Sequence, residues 1–463
     1  MVNPSIFREY DIRGIADKDL TDVVVNQLGK AFGSFMIREG RAKIVVGRDV
    51  RLSSSRLSTA LIAGLTNSGV DVIDIGVVPT PANYFAILHY AAEGGIMITG
   101  SHNPIEYNGF KMSRADNGIC SVFGKDIQIL KDMIVAEDFE EGSGKVEKCD
   151  VVSQYMDDLE KRITIGRRLR IVIDAGNGTG GEIAPALFEK LGCEVIRLYC
   201  EPDGTFPNHL PDPTVPKYVK DLQQCVLDNN ADVGIGLDGD SDRVGVIDNK
   251  GRMMFADNLV AIFAKDVLTR HPGAQILFDV KCSQALPEII EKHGGKPLMW
   301  KTGHSILKAK MKELNSPLAG EMSGHIFIKD GFHGYDDGIF AAGRILQILA
   351  AGDQQLAEIH DSLPAYKATP EIRVDCADEN KFKIIAALAD DFRASNDVIE
   401  IDGVRVLFEA GWGLVRASNT QPVIVLRFEA RTEEALRKIV AIFKEKLNDH
   451  PEVTYNAEDF FGY

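Results

Sequence analysis

Three stretches of this 463-residue chain follow one pattern, and that repetition limits the fold more than any single motif. Each opens on a short β-branched run: KIVVGRD at 43–49, LRIVIDAG at 169–176 and AQILFDVK at 274–281. Apolar runs of this length predict strands buried on both faces. In the first two stretches a helical pattern follows and ends on glycine (SSSRLSTALIAGLTNSG, GGEIAPALFEKLG). A second strand comes next (VDVIDIG, CEVIRLY), then a second helix and a third strand. The third stretch continues through QALPEIIEKHGG, PLMWKTGH and SILKAKMKEL. Strands alternating with helices imply parallel α/β layers. In every stretch the third strand runs into a polar loop: TGSHNP (99–104), LDGDSDR (237–243) and AGEMSGH (319–325). Ligands of open parallel sheets sit at the carboxyl ends of strands, so the three loops are expected to face one cleft.

The last hundred residues change character. After SLPAYKATP comes a helical stretch, ENKFKIIAALADDFRAS, then DVIEIDG, VRVLFEAG, WGLVRASNTQ and PVIVLRFEA at hairpin spacing, and a final amphipathic helix, TEEALRKIVAIFKEKL. This predicts a smaller, separate α+β domain. Linkers are expected near 145–155, 250–256 and 362–370. With 52 Lys+Arg against 68 Asp+Glu the chain carries a formal charge of −16, which repels nucleic acid and anionic membrane. A small anionic substrate then needs a local cluster of cationic side chains and amides. The seven cysteines are scattered with no C-x-x-C pair, so neither disulfides nor a cysteine-rich zinc site is expected. The opening MVNPSIFREYDIRG has no secretory character and no stretch is apolar enough to span a membrane, which suits the cytoplasm.

Asp238, Asp240 and Asp242 stand at i, i+2 and i+4. On an extended loop such residues point the same way, and three converging carboxylates call for a hard cation. An EF-hand would need Gly and Glu where Arg243 and Asn249 stand, so that rival fails. Oxygen ligands favour Mg²⁺ or Mn²⁺ over zinc, and three of them leave room for a phosphate oxygen. The small polar residues around Ser101 and His102 suit a plain turn; they equally suit a nucleophilic or phosphate-carrying serine, rigidly held and exposed at a strand end. GNGTGG (176–181) formally matches a dinucleotide fingerprint, with Glu201 near the end of the next strand, although tight turns recruit glycine for steric reasons alone. Glu321, Ser323 and His325 in GEMSGH suit sugar hydroxyls. Arg416, Ser418, Asn419 and Thr420 in RASNTQP make either a hairpin turn or a phosphate cradle. TGH at 302–304, Lys281, and the Tyr10 and Arg13 of EYDIRG say little alone.

Taken in order, FREYDIRG, TGSHNP, DGDSDR, GEMSGH and RASNTQP resemble the α-D-phosphohexomutases, specifically their bacterial phosphomannomutase/phosphoglucomutase group, over essentially the whole chain. The resemblance implies three similar α/β domains with mixed sheets plus a smaller C-terminal α+β domain around a central cleft. They would divide as 1–148 (phosphoserine), 149–252 (metal), 253–364 (sugar recognition) and 365–463 (phosphate binding). It implies that Ser101 carries the phosphoryl group and that Asp238, Asp240 and Asp242 hold Mg²⁺ with the Ser101 phosphate as a further ligand. Arg243 would contact that phosphate, with His102 among the catalytic residues and Lys111 and His304 as candidate acid–base groups. Glu321 and Ser323 would grip the sugar with His325 close by, while Tyr10, Arg13 and Lys281 line the cleft. Arg416, Ser418, Asn419 and Thr420 would hold the non-reacting phosphate. Many members have glycine where Ser241 stands.

The implied reaction interconverts hexose 1-phosphate and hexose 6-phosphate of mannose and glucose through a hexose 1,6-bisphosphate, with glucose 1,6-bisphosphate as activator and the last domain hinging. It would serve carbohydrate metabolism and the supply of nucleotide-sugar precursors. A phosphosugar is then the expected partner of a cytoplasmic monomer, with no nucleic acid or membrane. The alternatives are a phosphoglucosamine mutase, which usually has Gln where Met322 stands, a phosphate-ester hydrolase and, further off, an NAD-dependent oxidoreductase resting on GNGTGG.

Overall fold

The computed structural model describes residues 2–418 and 422–460. Its first three sheets share one wiring. In the first, Lys43–Arg48 lies between parallel neighbours Asp71–Val77 and Gly94–Ile98, and Tyr107–Ala115 returns antiparallel beside Gly94–Ile98. In the second, Arg170–Asp174 lies between Glu194–Leu198 and Val233–Leu237, with Val244–Asp248 returning. In the third, Gln275–Asp279 lies between Lys296–Trp300 and Leu318–Gly320, with Ile326–Ile328 returning. The strand before each turn is buried along its whole length, which is why its residues do not alternate in polarity.

Each polar loop makes the same connection, from the third parallel strand to its antiparallel return. A connection this short cannot support a parallel crossover, so the chain must double back, and the sheets are mixed. Met253–Met254 pairs with Val244–Asp248, so the second sheet runs past the boundary expected at 252.

The fourth sheet is antiparallel throughout: Val398–Ile399, Val404–Phe408, Gly411–Ala417 and Val423–Ala430, the last also paired with Lys367–Ala368 and Ile372–Asp375. Helices Asp378–Arg393 and Glu433–Asn448 pack on it. The strands at 367–368 and 372–375 were not predicted. Ile372 and Val374 alternate with exposed Arg373 and Asp375 over too few residues for the pattern to stand out.

One apolar core runs through the first three units, joining Phe85, Tyr155, Ile173, Phe263 and Ile339, whereas the last unit has its own around Ile384, Val404, Phe428 and Phe443. A small cluster of Val280, Trp412 and Leu414 links the last unit to the third. Arg405 stacks on Trp412, 3.6 Å from the ring centre, and donates to the carbonyls of Val280 (2.7 Å) and Cys282 (2.9 Å). A unit with its own core can open separately from the rest of the molecule, although Arg427, which pairs with Asp257 at 3.6 Å, and Glu429, which accepts the Gln284 N–H at 2.8 Å, also cross this joint. The seven cysteines are free, and no described helix is long and apolar enough to cross a membrane.

Candidate active site

The polar loops of the first two sheets meet at Ser101. Its Oγ donates to Asp238 Oδ2 at 2.8 Å and lies 3.0 Å from His102 Nδ1. Ser101 is 1% exposed with φ +47°, so the expectation of an exposed serine at a strand end is corrected. It sits at the floor of a cleft, in a left-handed turn that Thr99 Oγ1 braces by accepting the Ser101 N–H at 2.8 Å.

The aspartates converge, but not for the predicted reason. The loop is a turn rather than an extended segment: Ser241 has φ +59° and its N–H donates to Asp238 O at 3.0 Å. Asp238, Asp240 and Asp242 are fully buried, and one oxygen of each lies within 4.8 Å of the others. Burial and the charges of Asp240 and Asp242 push the Asp238 carboxyl well up. Lys111 reaches in from the first unit, donating to Asp240 Oδ2 at 2.7 Å and to Asp242 Oδ2. Burial alone would lower the Lys111 ammonium, but Asp240 and Asp242 outweigh it and hold it above the ordinary lysine range. Oδ1 of Asp240 and Oδ1 of Asp242 are buried with no hydrogen-bond partner. Orphaned oxygens on crowded carboxylates beside a hydroxyl are a donor set that fits a hard divalent cation.

Above this floor is a cleft of about 370 Å³. Tyr10, Arg13, Ser101, His102 and Lys111 line it from the first unit and Arg243 from the second. Lys281, His304, Glu321, Ser323 and His325 come from the third, Arg416 and Ser418 from the fourth. Asn419 and Thr420 lie outside the described residues. A groove of about 490 Å³ beside Phe35 and Met133 contains none of these groups.

Glu321 accepts from the Gly303 N–H at Oε1 (2.7 Å) and from Ser323 Oγ at Oε2 (2.7 Å), which fixes its carboxylate plane. Arg243 Nε donates to His325 Nε2 at 2.9 Å; since Arg has no acceptor, that nitrogen must be the unprotonated one. Burial, with Lys308 beside it, holds His304 well below the ordinary histidine range, and burial and Arg243 do the same to His102. Lys281 pairs with Glu371 at 3.0 Å and Arg416 with Asp402 at 3.0 Å. Tyr10 Oη donates to Thr302 O at 2.8 Å, tying the first unit to the third. The acidic chain thus keeps a cationic cavity, with Arg13, Lys111 and Arg243 near Ser101 and Lys281, Arg373 and Arg416 also on its wall. Glu371, Asp402 and Thr80, which donates to Asp240 Oδ2 at 2.5 Å, escaped the sequence reading because none sits in a motif.

Sequence profiles of the phosphoglucomutase/phosphomannomutase family match the chain in order: alpha/beta/alpha domains I, II and III over residues 4–138, 153–251 and 255–366, and the C-terminal domain over 371–446. The chain belongs to the phosphoglucomutase/phosphomannomutase family. It is 47% identical over 444 residues to the phosphomannomutase/phosphoglucomutase of Pseudomonas putida, covering 96% of this chain and 95% of that one. It is 42% identical over 462 residues to the phosphoglucomutase of Neisseria gonorrhoeae, covering 98% and 99%. The crystal structure of a phosphoglucomutase/phosphomannomutase family protein from Burkholderia thailandensis superposes with a TM-score of 0.90 at 43% identity, over 98% of this chain and 99% of that one.

Two further readings change within this family frame. The GNGTGG turn has no room for a dinucleotide, because the aspartate loop lies on it. Thr179 N donates to Gly239 O at 3.1 Å, and a Cβ at Gly178 would come within 2.7 Å of that oxygen. Met322 is buried in the shared core and does not line the cleft, so a Met-to-Gln difference there would not act by touching substrate.

The left-handed φ at Ser241 is a conformation that glycine adopts without strain. The Ser241 hydroxyl is also buried without a partner. Ser241→Gly is therefore expected to raise stability by about 0.5–1 kcal/mol without loss of turnover. Denaturant unfolding in magnesium-free buffer checks this, and a lowered midpoint contradicts it.

Proposed function

We propose that this protein interconverts the 1- and 6-phosphates of mannose and glucose, an isomerase reaction in which Ser101 gives a phosphoryl group to one end of the sugar and takes one from the other. The observation that carries this reading is the Ser101 Oγ–Asp238 contact at 2.8 Å on the floor of a cation-lined cleft that also contains a second anchor, Arg416.

From the phosphorylated enzyme, the bond between phosphorus and Ser101 Oγ breaks as the free sugar hydroxyl bonds to phosphorus. The hydroxyl proton passes to a base in the cleft, the departing Ser101 Oγ takes up a proton to become a hydroxyl, and a hexose 1,6-bisphosphate results. After it turns end for end, Ser101 Oγ bonds to the other phosphorus as the bond between that phosphorus and the sugar oxygen breaks, and the freed oxygen takes a proton within the cleft to leave hexose 6-phosphate. The serine proton has two acceptors in place, Asp238 Oδ2 and the neutral His102 Nδ1. Such a transfer depends on placement and charge more than on covalent chemistry. Arg243, fixed by His325, and Arg13, fixed by Asn103 Oδ1 at 2.9 Å, supply cationic donors to the phosphoryl oxygens. Lys111, held as an ammonium, acts as a cation rather than as a base. Neutral His304 is free to exchange a proton. Glu321 and Ser323 accept and donate to sugar hydroxyls, and Arg416 with Ser418 anchors the phosphate that is not reacting. Asp238, Asp240 and Asp242 would hold Mg²⁺, which when bound withdraws charge from the seryl phosphate.

The test supplies hexose 1-phosphate, Mg²⁺ and a trace of glucose 1,6-bisphosphate and follows phosphorus NMR. Hexose 6-phosphate should accumulate without inorganic phosphate. Release of inorganic phosphate in its place supports a hydrolase, the reading in which water attacks the seryl phosphate. Arg416→Ala should lower kcat/KM about 10- to 100-fold, mainly through KM, because it removes a charge-assisted anchor for the distal phosphate. A loss confined to kcat would contradict the anchoring role.

A further inference from the structure

We infer that Arg51 is a positioning residue for the phosphoryl-carrying loop, its guanidinium gathering the backbone carbonyls of residues 101–107 so that Ser101 Oγ is aimed at Asp238. This rests on Ser101 being the phosphoryl carrier. Arg51 does not line the cleft; its side chain is wholly buried behind it. Nη2 donates to the carbonyls of Ser101 (2.9 Å) and Asn103 (2.5 Å), and Nη1 to those of Pro104 (2.7 Å) and Tyr107 (3.0 Å). One planar fork thus serves four carbonyls between the Ser101 turn and the first residue of the returning strand, with the Ile105 carbonyl 3.4 Å from Nη1 as well.

The surroundings are built to this guanidinium. A Cβ at Gly100 would lie 2.4 Å from Arg51 Nε, so only glycine fits before the serine. Asp49 sits beneath: its Oδ2 accepts the Gly100 N–H at 3.0 Å and lies 3.4 Å from Arg51 Nε, while its Oδ1 accepts the Arg51 N–H at 3.0 Å. The second unit seals the other side. Phe206 covers the guanidinium, 5.1 Å from its ring centre, and holds φ +46° to do so. A bulky residue at positive φ is a strained conformation that persists only where its surroundings enforce it. The two units that contribute the nucleophile and the aspartates are therefore also joined through Arg51 and Phe206.

Carbonyls turned inward on one cation keep the loop in the conformation that gives Ser101 its left-handed φ. Without the fork, the buried carbonyl of Ser101 and the half-buried one of Asn103 would lose their donor, and the loop would rearrange to satisfy them. The serine would then lose its alignment while the groups that bind the sugar and its distal phosphate stayed in place. Lysine keeps the charge but cannot present two parallel pairs of donors, so Arg51→Lys removes the geometry alone.

Arg51→Lys is expected to lower kcat about 100-fold, as a displacement of about 1 Å does, with KM for hexose 1-phosphate changed less than about threefold. Hydrogen exchange of the amides at 100–107 should quicken at least about tenfold, with the rest of the first unit unchanged. Wild-type kcat, a loss carried by KM, or unchanged exchange at 100–107 would overturn the inference. Should the lysine variant fail to fold, Phe206→Leu, which removes only the aromatic cover, is expected to lower kcat about tenfold at constant KM, and an unaltered kcat would overturn the inference as well. If the wild-type chain makes no hexose 6-phosphate, the functional reading fails, whereas the exchange measurement still decides whether Arg51 holds the loop.

Discussion

Ser101→Ala is expected to lower mutase turnover by about 10⁴- to 10⁶-fold, the range seen when a covalent nucleophile is removed, while the protein stays folded. The loss follows from chemistry: among the described residues no other hydroxyl on the cleft floor both contacts Asp238 and has His102 beside it. Survival of the fold follows from what the hydroxyl does at rest. It makes one hydrogen bond to Asp238, whose loss costs about 1 kcal/mol, and alanine inherits rather than creates the left-handed strain at this position. A midpoint shift of a few degrees by circular dichroism, together with absent turnover, is the expected pair of results. Turnover within about tenfold of wild type would remove Ser101 from the mechanism.

The second large effect belongs to the aspartate floor. Asp242→Asn should lower turnover about 10³-fold, because it removes one of three carboxylates that would hold the cation and weakens charge withdrawal from the phosphate. Stability without metal should move little or rise, since the variant relieves the crowding of three fully buried carboxylates while Lys111 keeps its 2.7 Å pair with Asp240. Activity and stability would then change in opposite senses, which general damage to the fold cannot produce. Added Mg²⁺ should raise the unfolding midpoint of the wild type and not that of Asp242→Asn, through binding to the folded state alone. Chelation should stop the wild-type enzyme, and Mg²⁺ should restart it. Wild-type turnover after exhaustive chelation would contradict the metal assignment.

What the sequence made legible is what repeats or clusters locally. The β-branched run, the helix with its terminal glycine and the polar loop recur three times because each unit solves the same packing problem. The structure gives all three loops the same place, between a buried parallel strand and its antiparallel return. The aspartate spacing pointed to a cation site even though its premise failed. The convergence of Asp238, Asp240 and Asp242 comes from the turn at Ser241, and positive φ on a residue other than glycine leaves no mark in composition.

Long-range partners were illegible for a related reason. Glu371 pairs with Lys281, and Arg51 gathers carbonyls some fifty positions away, but a lone charged residue looks the same whether it is solvated or buried against a distant backbone. The Ile372–Asp375 strand escaped because its two inward residues are too few to reveal a period of two. The burial of Ser101 was missed because the second unit, not the local sequence, covers it.

The most direct measurement of the central claim is the intact mass of the protein before and after hexose 1-phosphate, with fragmentation to locate any gain. The account predicts a phosphate-sized increment on Ser101 that exchanges with labelled substrate and is absent from Ser101→Ala. An active enzyme that never carries phosphate, or carries it on another residue, would contradict it.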